Sequence, residues 1–152
     1  MKRFSIITLL LTCVLFLSGC DEERTMSERG FRLPDGNAQA GRETFLYMHC
    51  NQCHSINGEE LETIPGFEPY IELGGPVTRV KTYGELVTAI INPSHRLATG
   101  YAEEVVSEGG ESNMYIYNSH MTVQELIDIV MYLQPKYDVQ IPAYHYRIYP
   151  TT

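Results

Sequence analysis

Cys50-Asn51-Gln52-Cys53-His54 is the stretch on which the reading of this chain turns. Two thiols three positions apart, with an imidazole directly after them, form the C-x-x-C-H pattern of covalent haem attachment. The sulfurs would form thioethers to the porphyrin vinyl groups, and His54 sits where its imidazole can bind the iron as proximal ligand. Two other readings share the cysteine pair. A thioredoxin-type C-x-x-C belongs beside a βαβ pattern, which the sequence does not offer. A zinc site needs two further ligands, and no second cysteine pair remains in the folded part to supply them.

The N-terminus sets the compartment. Lys2 and Arg3 precede an apolar run from Phe4 to Leu17, interrupted by Ser5, Thr8 and Thr12. The run is too short for a comfortable membrane-spanning helix and reads as a secretory signal. It closes on Leu17-Ser18-Gly19-Cys20, which resembles a bacterial lipobox, with Cys20 as the lipidated first residue of the mature chain. The predicted organisation is a lipoprotein signal over 1–19, a lipid-anchored tether over 20–36, a haem domain over 37–136 and a Tyr/Pro-rich extension over 137–152. The protein is therefore expected outside the cytoplasm, on the periplasmic face of the inner membrane. Asp21 after the lipidated cysteine resembles the retention signal of some inner-membrane lipoproteins. The four cysteines are then accounted for: Cys13 leaves with the signal, Cys20 carries lipid, and Cys50 and Cys53 carry haem.

The mature chain, from Cys20 onward, is long enough for one domain with one core. Loss of Lys2 and Arg3 takes the formal charge from −8 to −10. That acidity argues against nucleic acid as a partner and against attraction to anionic lipid. The tether is rich in charge, with Pro34 and Gly36 near its end; as a random coil it would reach about 20–25 Å.

The remainder reads as short helices and long loops with little strand signal, an all-α domain. Asn37 to Met48 is the first helix, and its Gly41-x-x-x-Phe45 spacing sets a bare backbone patch beside an aromatic. Thr82 to Ile91 is the second, with Thr82 and Glu85 as a capping box and Leu86, Val87, Ile90 and Ile91 as an apolar stripe. Pro93 ends it. Thr122 to Leu133 is the third, again opened by a capping box, Thr122 with Glu125, and stopped by Pro135. Ala98 to Asn113, with Gly100, Gly109 and Gly110, reads as an exposed loop. The tail, with Tyr137, Tyr144, Tyr146 and Tyr149, reads as an extended segment wrapping the domain.

Over roughly Ala38 to Lys136 the chain resembles the class I monohaem cytochromes c. The haem motif lies near the start of the domain, and methionines precede the last helix. The resemblance implies a small all-α fold of short helices around one covalently bound haem c, with the first and last helices crossing. Gly41 and Phe45 match the family's contact set on the first helix, and Tyr132 the aromatic on the last. For the distal ligand, Met26 falls in the tether, Met48 is too near Cys50, and Met131 is inside the last helix. Met114 and Met121 remain. Met114 leaves room for the chain to enter the helix, so it is taken as the ligand. Met121 stands as the alternative, and also as the residue before the Thr122 cap that would pack back on the helix. The family's proline after the ligand methionine is replaced here by Tyr115. His95 and His120 are the other possible ligands.

The family also holds its proximal histidine through a backbone carbonyl. Pro65 is the first candidate here and Pro76, in Gly74-Gly75-Pro76, the competing one. Arg79, Lys81 and Arg96 are candidates to neutralise haem propionates. A His54/Met114 iron has no open position for substrate. The expected function is accordingly that of an electron carrier and not an enzyme, exchanging single electrons with a redox donor and acceptor. The competing classes are a haem gas sensor or peroxidase-like enzyme with a labile distal ligand, and a haem subunit of a larger oxidoreductase complex.

Overall fold

The protein is described by a computed structural model over residues 33–140. Four α-helices are present there: α1 (Ala38–Tyr47), α2 (Tyr83–Ile91), α3 (Glu103–Val106) and α4 (Val123–Leu133). The three expected helices are therefore found, each one residue shorter at its start because the N-cap is extended. Asn37 caps α1 by accepting from Gln39 N and Ala40 N, at 2.9 and 3.1 Å. Both Thr-x-x-Glu sequences form complete capping boxes, Thr82 with Glu85 and Thr122 with Glu125. Each box satisfies backbone N–H groups that a helix start would otherwise leave without partners.

Helices α1 and α4 cross at Gly41. A Cβ on Gly41 would lie 1.9 Å from the Asp128 carbonyl oxygen and 2.4 Å from its carbon, so only glycine admits this backbone approach. One turn further along, Phe45 and Tyr132 meet edge to face with ring centroids 5.8 Å apart and planes at 64°. Asp128, buried in mid-helix, accepts from Asn37 N at 2.7 Å and from Gln124 Nε2 at 2.9 Å. Its carboxylate thus sits at the N-terminus of α1, where the helix dipole favours negative charge. Phe45 and Val130 form the centre of a core completed by Ile127, Ile129 and Leu133 of α4 and by Leu86 and Val87 of α2.

The expectation of an all-α domain is overturned by six short strands in three pairs. β1 (His54–Ile56) runs parallel to β2 (Ile71–Leu73), and β3 (Gly75–Val77) parallel to β6 (Tyr137–Val139). β4 (Ser107–Glu108) and β5 (Glu111–Ser112) form an antiparallel hairpin. The physical reason is that segments of two or three residues carry no usable alternation, and both parallel pairs join residues distant in the chain. The hairpin did carry a signal: Gly109 and Gly110 take φ of 61° and 87°, the left-handed conformations a two-residue hairpin turn demands. Ala98 to Asn113 accordingly holds α3 and this hairpin, where a featureless loop was expected. The tail begins as strand β6; Tyr144, Tyr146 and Tyr149 lie outside the described residues, as does Cys20. Among the described residues no helix is long and apolar enough to cross a membrane.

A polar clamp closes the far end of the helix pair. Glu59 accepts from Arg42 Nε at 2.7 Å and from Lys136 Nζ at 2.6 Å, joining α1 to the residues after α4. Burial alone would raise the Glu59 pKa, but the hydrogen bonds from Lys136 and Arg42 outweigh it and hold the carboxyl below its ordinary value.

Gly41→Ala should lower the free energy of unfolding by about 1–3 kcal/mol, the range for overpacking, because Asp128 backbone cannot yield. Gly84→Ala, whose Cβ would meet nothing nearer than Thr82 Oγ1 at 3.9 Å, should be neutral or stabilising in the same denaturant titration. For Glu59 the sign follows from its depressed pKa. Its stabilisation is present above the unfolded value, near 4.5, and is lost as pH falls through the lower folded value. The stability gap between wild type and Glu59→Gln should therefore be full at neutral pH and close progressively below about pH 4.5.

Candidate functional site

Met48 caps the C-terminus of α1, and His49 follows with φ of 57° and ψ of 29°. A left-handed residue just past a helix end reverses the chain, and His49 is the one non-glycine to adopt this conformation among the described residues. The reversal carries Cys50, Asn51 and Gln52 into a single 3-10 turn, closed by Cys53 N to Cys50 O at 3.2 Å. His54 then enters β1. The Cys53 carbonyl accepts from both Tyr70 N and Ile71 N, at 3.1 and 2.9 Å, and Asn57 N donates to Leu73 O at 2.8 Å. The Cys–His segment is therefore fixed to β2 on one side and to α1 on the other.

Cys50, Cys53 and His54 face a cavity of about 380 Å³, within the range of about 300–1,000 Å³ usual for ligand and cofactor pockets. Its walls are mostly apolar: Phe45 from α1, Ile71 and Leu73 from β2, Leu86, Ala89 and Ile90 from α2, and Ile129 and Leu133 from α4. Val105 and Val106 of α3 add to them, followed by the segment between β5 and α4. Both Met114 and Met121 line the cavity, so the two thioethers singled out in the sequence reach the same space as His54. Lys81 and Arg96 are on its lining and Arg79 is not; Glu85 pairs with both Arg79 and, at 3.4 Å, Arg96. His95 and His120 are not on it either; His120 stacks on Tyr115 with ring centroids 5.9 Å apart. Met131 faces away, near Gly36.

Burial governs the chemistry of these groups. Desolvation pushes the Cys50 thiol up to about 11, against a smaller opposing backbone hydrogen bond. It also holds the His54 imidazole below the usual histidine range, with the Ile71 backbone working weakly the other way. His54 Nδ1 is fully buried with no partner in hydrogen-bond geometry. Neither proline carbonyl expected to hold His54 bonds to its Nδ1. Pro65 opens a tight turn closed by Phe67 N to Ile64 O at 3.0 Å, and Pro76 is in β3 against Asp138. Ile71 is the residue set opposite His54, in the parallel ladder.

Several lining residues carried no sequence signal. Tyr70, Ile71 and Leu73 arrive through a parallel pairing that the sequence does not announce, and Tyr117 looked like one loop aromatic among several. Its hydroxyl donates to the Met48 carbonyl at 2.9 Å, and it too lines the cavity. Among the described residues no three His, Cys, Asp or Glu side chains converge as ligands for a bare metal ion, so the zinc reading lacks its donors. A thioredoxin-type reading asks for a cysteine of lowered pKa, the opposite of Cys50.

Searches against protein-family models, curated protein sequences and solved structures returned no match to this chain.

In protein whose thiols are free, Cys50 should alkylate at neutral pH about two orders of magnitude more slowly than an unperturbed cysteine, because the thiolate is the nucleophile. Mass-spectrometric alkylation rates measured against pH would check this; fast labelling at neutral pH would count against the buried, neutral thiol.

Proposed function

We propose that this chain is a lipid-anchored, extracytoplasmic monohaem c-type cytochrome that carries single electrons between redox partners and is not itself an enzyme. The observation that carries the reading is convergence: Cys50, Cys53 and His54 share one apolar cavity with Met114 and Met121, which lie some sixty residues further along. The residues fit a haem on independent grounds. Two free thiols stand at attachment spacing, an imidazole lies beside them, and thioethers and apolar walls complete the enclosure. Lys81 and Arg96 on the lining are suited to propionate carboxylates. A bound haem would supply a one-electron iron couple.

Each part of the chain then has a task. Cys50 and Cys53 would hold the cofactor, each adding its S–H across one of two vinyl groups, a link that survives loss of packing. His54, its pKa lowered by burial, would present a neutral nitrogen lone pair to the iron. A thioether from Met114 is a soft, neutral ligand that favours the ferrous state and raises the reduction potential. The walls from α2 and α4 exclude water. Cys20 would tether the domain to the membrane by lipid, leaving it free to meet a donor and an acceptor within reach of the 20–36 segment.

The test is the protein matured in a host that attaches haem to such motifs. Wild type should show thioether-bound haem that resists acid–organic extraction, and the far-red ferric band of sulfur ligation. Met114→Ala should abolish that band while Met121→Ala retains it. Loss only in Met121→Ala would move the ligand but keep the carrier. Extractable haem, or no haem, would overturn the proposal.

A further inference from the structure

We infer that Tyr117 is a positioning residue, a strut that holds the Met114–Met121 segment closed over the cavity by clamping it to the start of the Cys–His turn. The inference rests on the haem reading for its functional consequence but not for its geometry. Tyr117 is gripped at both ends. Its hydroxyl donates to the Met48 carbonyl at 2.9 Å, across 69 residues of chain, immediately before His49 and Cys50. Its own carbonyl accepts from His120 N at 2.8 Å and Met121 N at 3.0 Å, forming the turn that leads into the Thr122 cap of α4. Asn118 Nδ2 adds a second tie, to the Ile91 carbonyl at the end of α2, at 2.9 Å.

The segment needs such ties because its other contacts are poor. Tyr115 and Ile116 are 59% and 55% exposed, so little apolar burial holds the middle of the loop. The Tyr115 ring stands edge-on to the Tyr117 ring, centroids 4.9 Å apart, and stacks on His120, so the loop's aromatics lean on one another and on Tyr117. Met114 lies three residues before the strut and Met121 four after it. Met114 is also tied through its own N–H to Ser112 Oγ at 3.2 Å and through Asn113 to α3, so the hydroxyl bears chiefly on the stretch from Tyr115 to Met121. With the hydroxyl removed, the Met48 carbonyl and the loop part, and the cavity opens on that side.

Tyr117→Phe in the full haem-loaded chain tests this, with Tyr115→Phe as the control, since Tyr115 is held by its ring. Loss of one ordinary hydrogen bond should raise the open population about 2–10-fold. Two readouts follow it: the rate of carbon monoxide binding to the dithionite-reduced protein, and hydrogen exchange of the 113–121 amides. The expected result is a rise of that size in both for Tyr117→Phe and neither for Tyr115→Phe. Unchanged amide exchange in Tyr117→Phe overturns the strut, whether or not haem is present. Wild type that carries no haem overturns the functional reading alone, and the exchange experiment still decides the strut.

Discussion

The backbone contact between Gly41 and Asp128 is the constraint on which the rest of this structure depends. With a would-be Cβ 1.9 Å from a carbonyl oxygen, the helices meet at a distance set by main chain and not by side chains. That distance brings the Phe45 and Tyr132 rings together and lets the Asp128 carboxylate reach Asn37 N. The end of α1 is thereby fixed relative to α4. Since Cys50 follows α1 after one left-handed residue, and Met121 precedes α4 directly at the Thr122 cap, fixing the helix crossing also fixes the two halves of the site. A glycine far from the chemistry so governs the spacing between the thiols and the thioethers.

Inside that frame, desolvation explains why the cavity suits capture of a cofactor better than thiol–disulfide exchange. Exchange needs a thiolate at neutral pH, and a Cys50 pushed to about 11 withholds it. The same burial keeps His54 neutral, the form that can ligate a metal. One physical cause, burial beside Phe45 and the apolar faces of α2 and α4, thus raises the thiol pKa and lowers that of the imidazole. Lys81 and Arg96 add positive charge to the lining, with Arg96 also paired to Glu85 at 3.4 Å.

What was legible in the sequence was what is encoded locally. Thr82 with Glu85 and Thr122 with Glu125 announce helix starts because a capping box needs only four residues. The Gly41–Phe45 spacing showed a contact face, and the C-x-x-C-H run marked one side of the site. What was not legible depends on partners distant in the chain. His54 pairs with Ile71 and Gly75 with Tyr137, and three-residue strands show too little alternation to be told from loop. The prolines beside His54 were misplaced for that reason: the ladder brings up Ile71, while Pro65 and Pro76 serve a turn and a strand. Gly109-Gly110 is the exception, a local hairpin signal that was present and read as mere exposure. The choice between Met114 and Met121 could not come from spacing alone, since a single loop delivers both to the cavity.

The two halves of the site therefore stand on different physical footings. The thiol side is carried by a helix end and a strand ladder, elements held by regular backbone hydrogen bonds and by the core. The thioether side is carried by a loop whose central residues are exposed, and which gains little from burial. Polar ties must hold it, and they run to four separate places: Ser112 N to Ser94 Oγ at 3.0 Å, Asn113 to the Glu104, Val105 and Val106 carbonyls of α3, Tyr117 to Met48, and Asn118 to Ile91. Each hydrogen bond is of order 1 kcal/mol, and those beyond Asn113 are single. A loop so held is closed on average but opens more readily than the helix pair beneath it. If the proposed haem is held between these two sides, His54 would be the firmly placed ligand and the methionine the one able to leave.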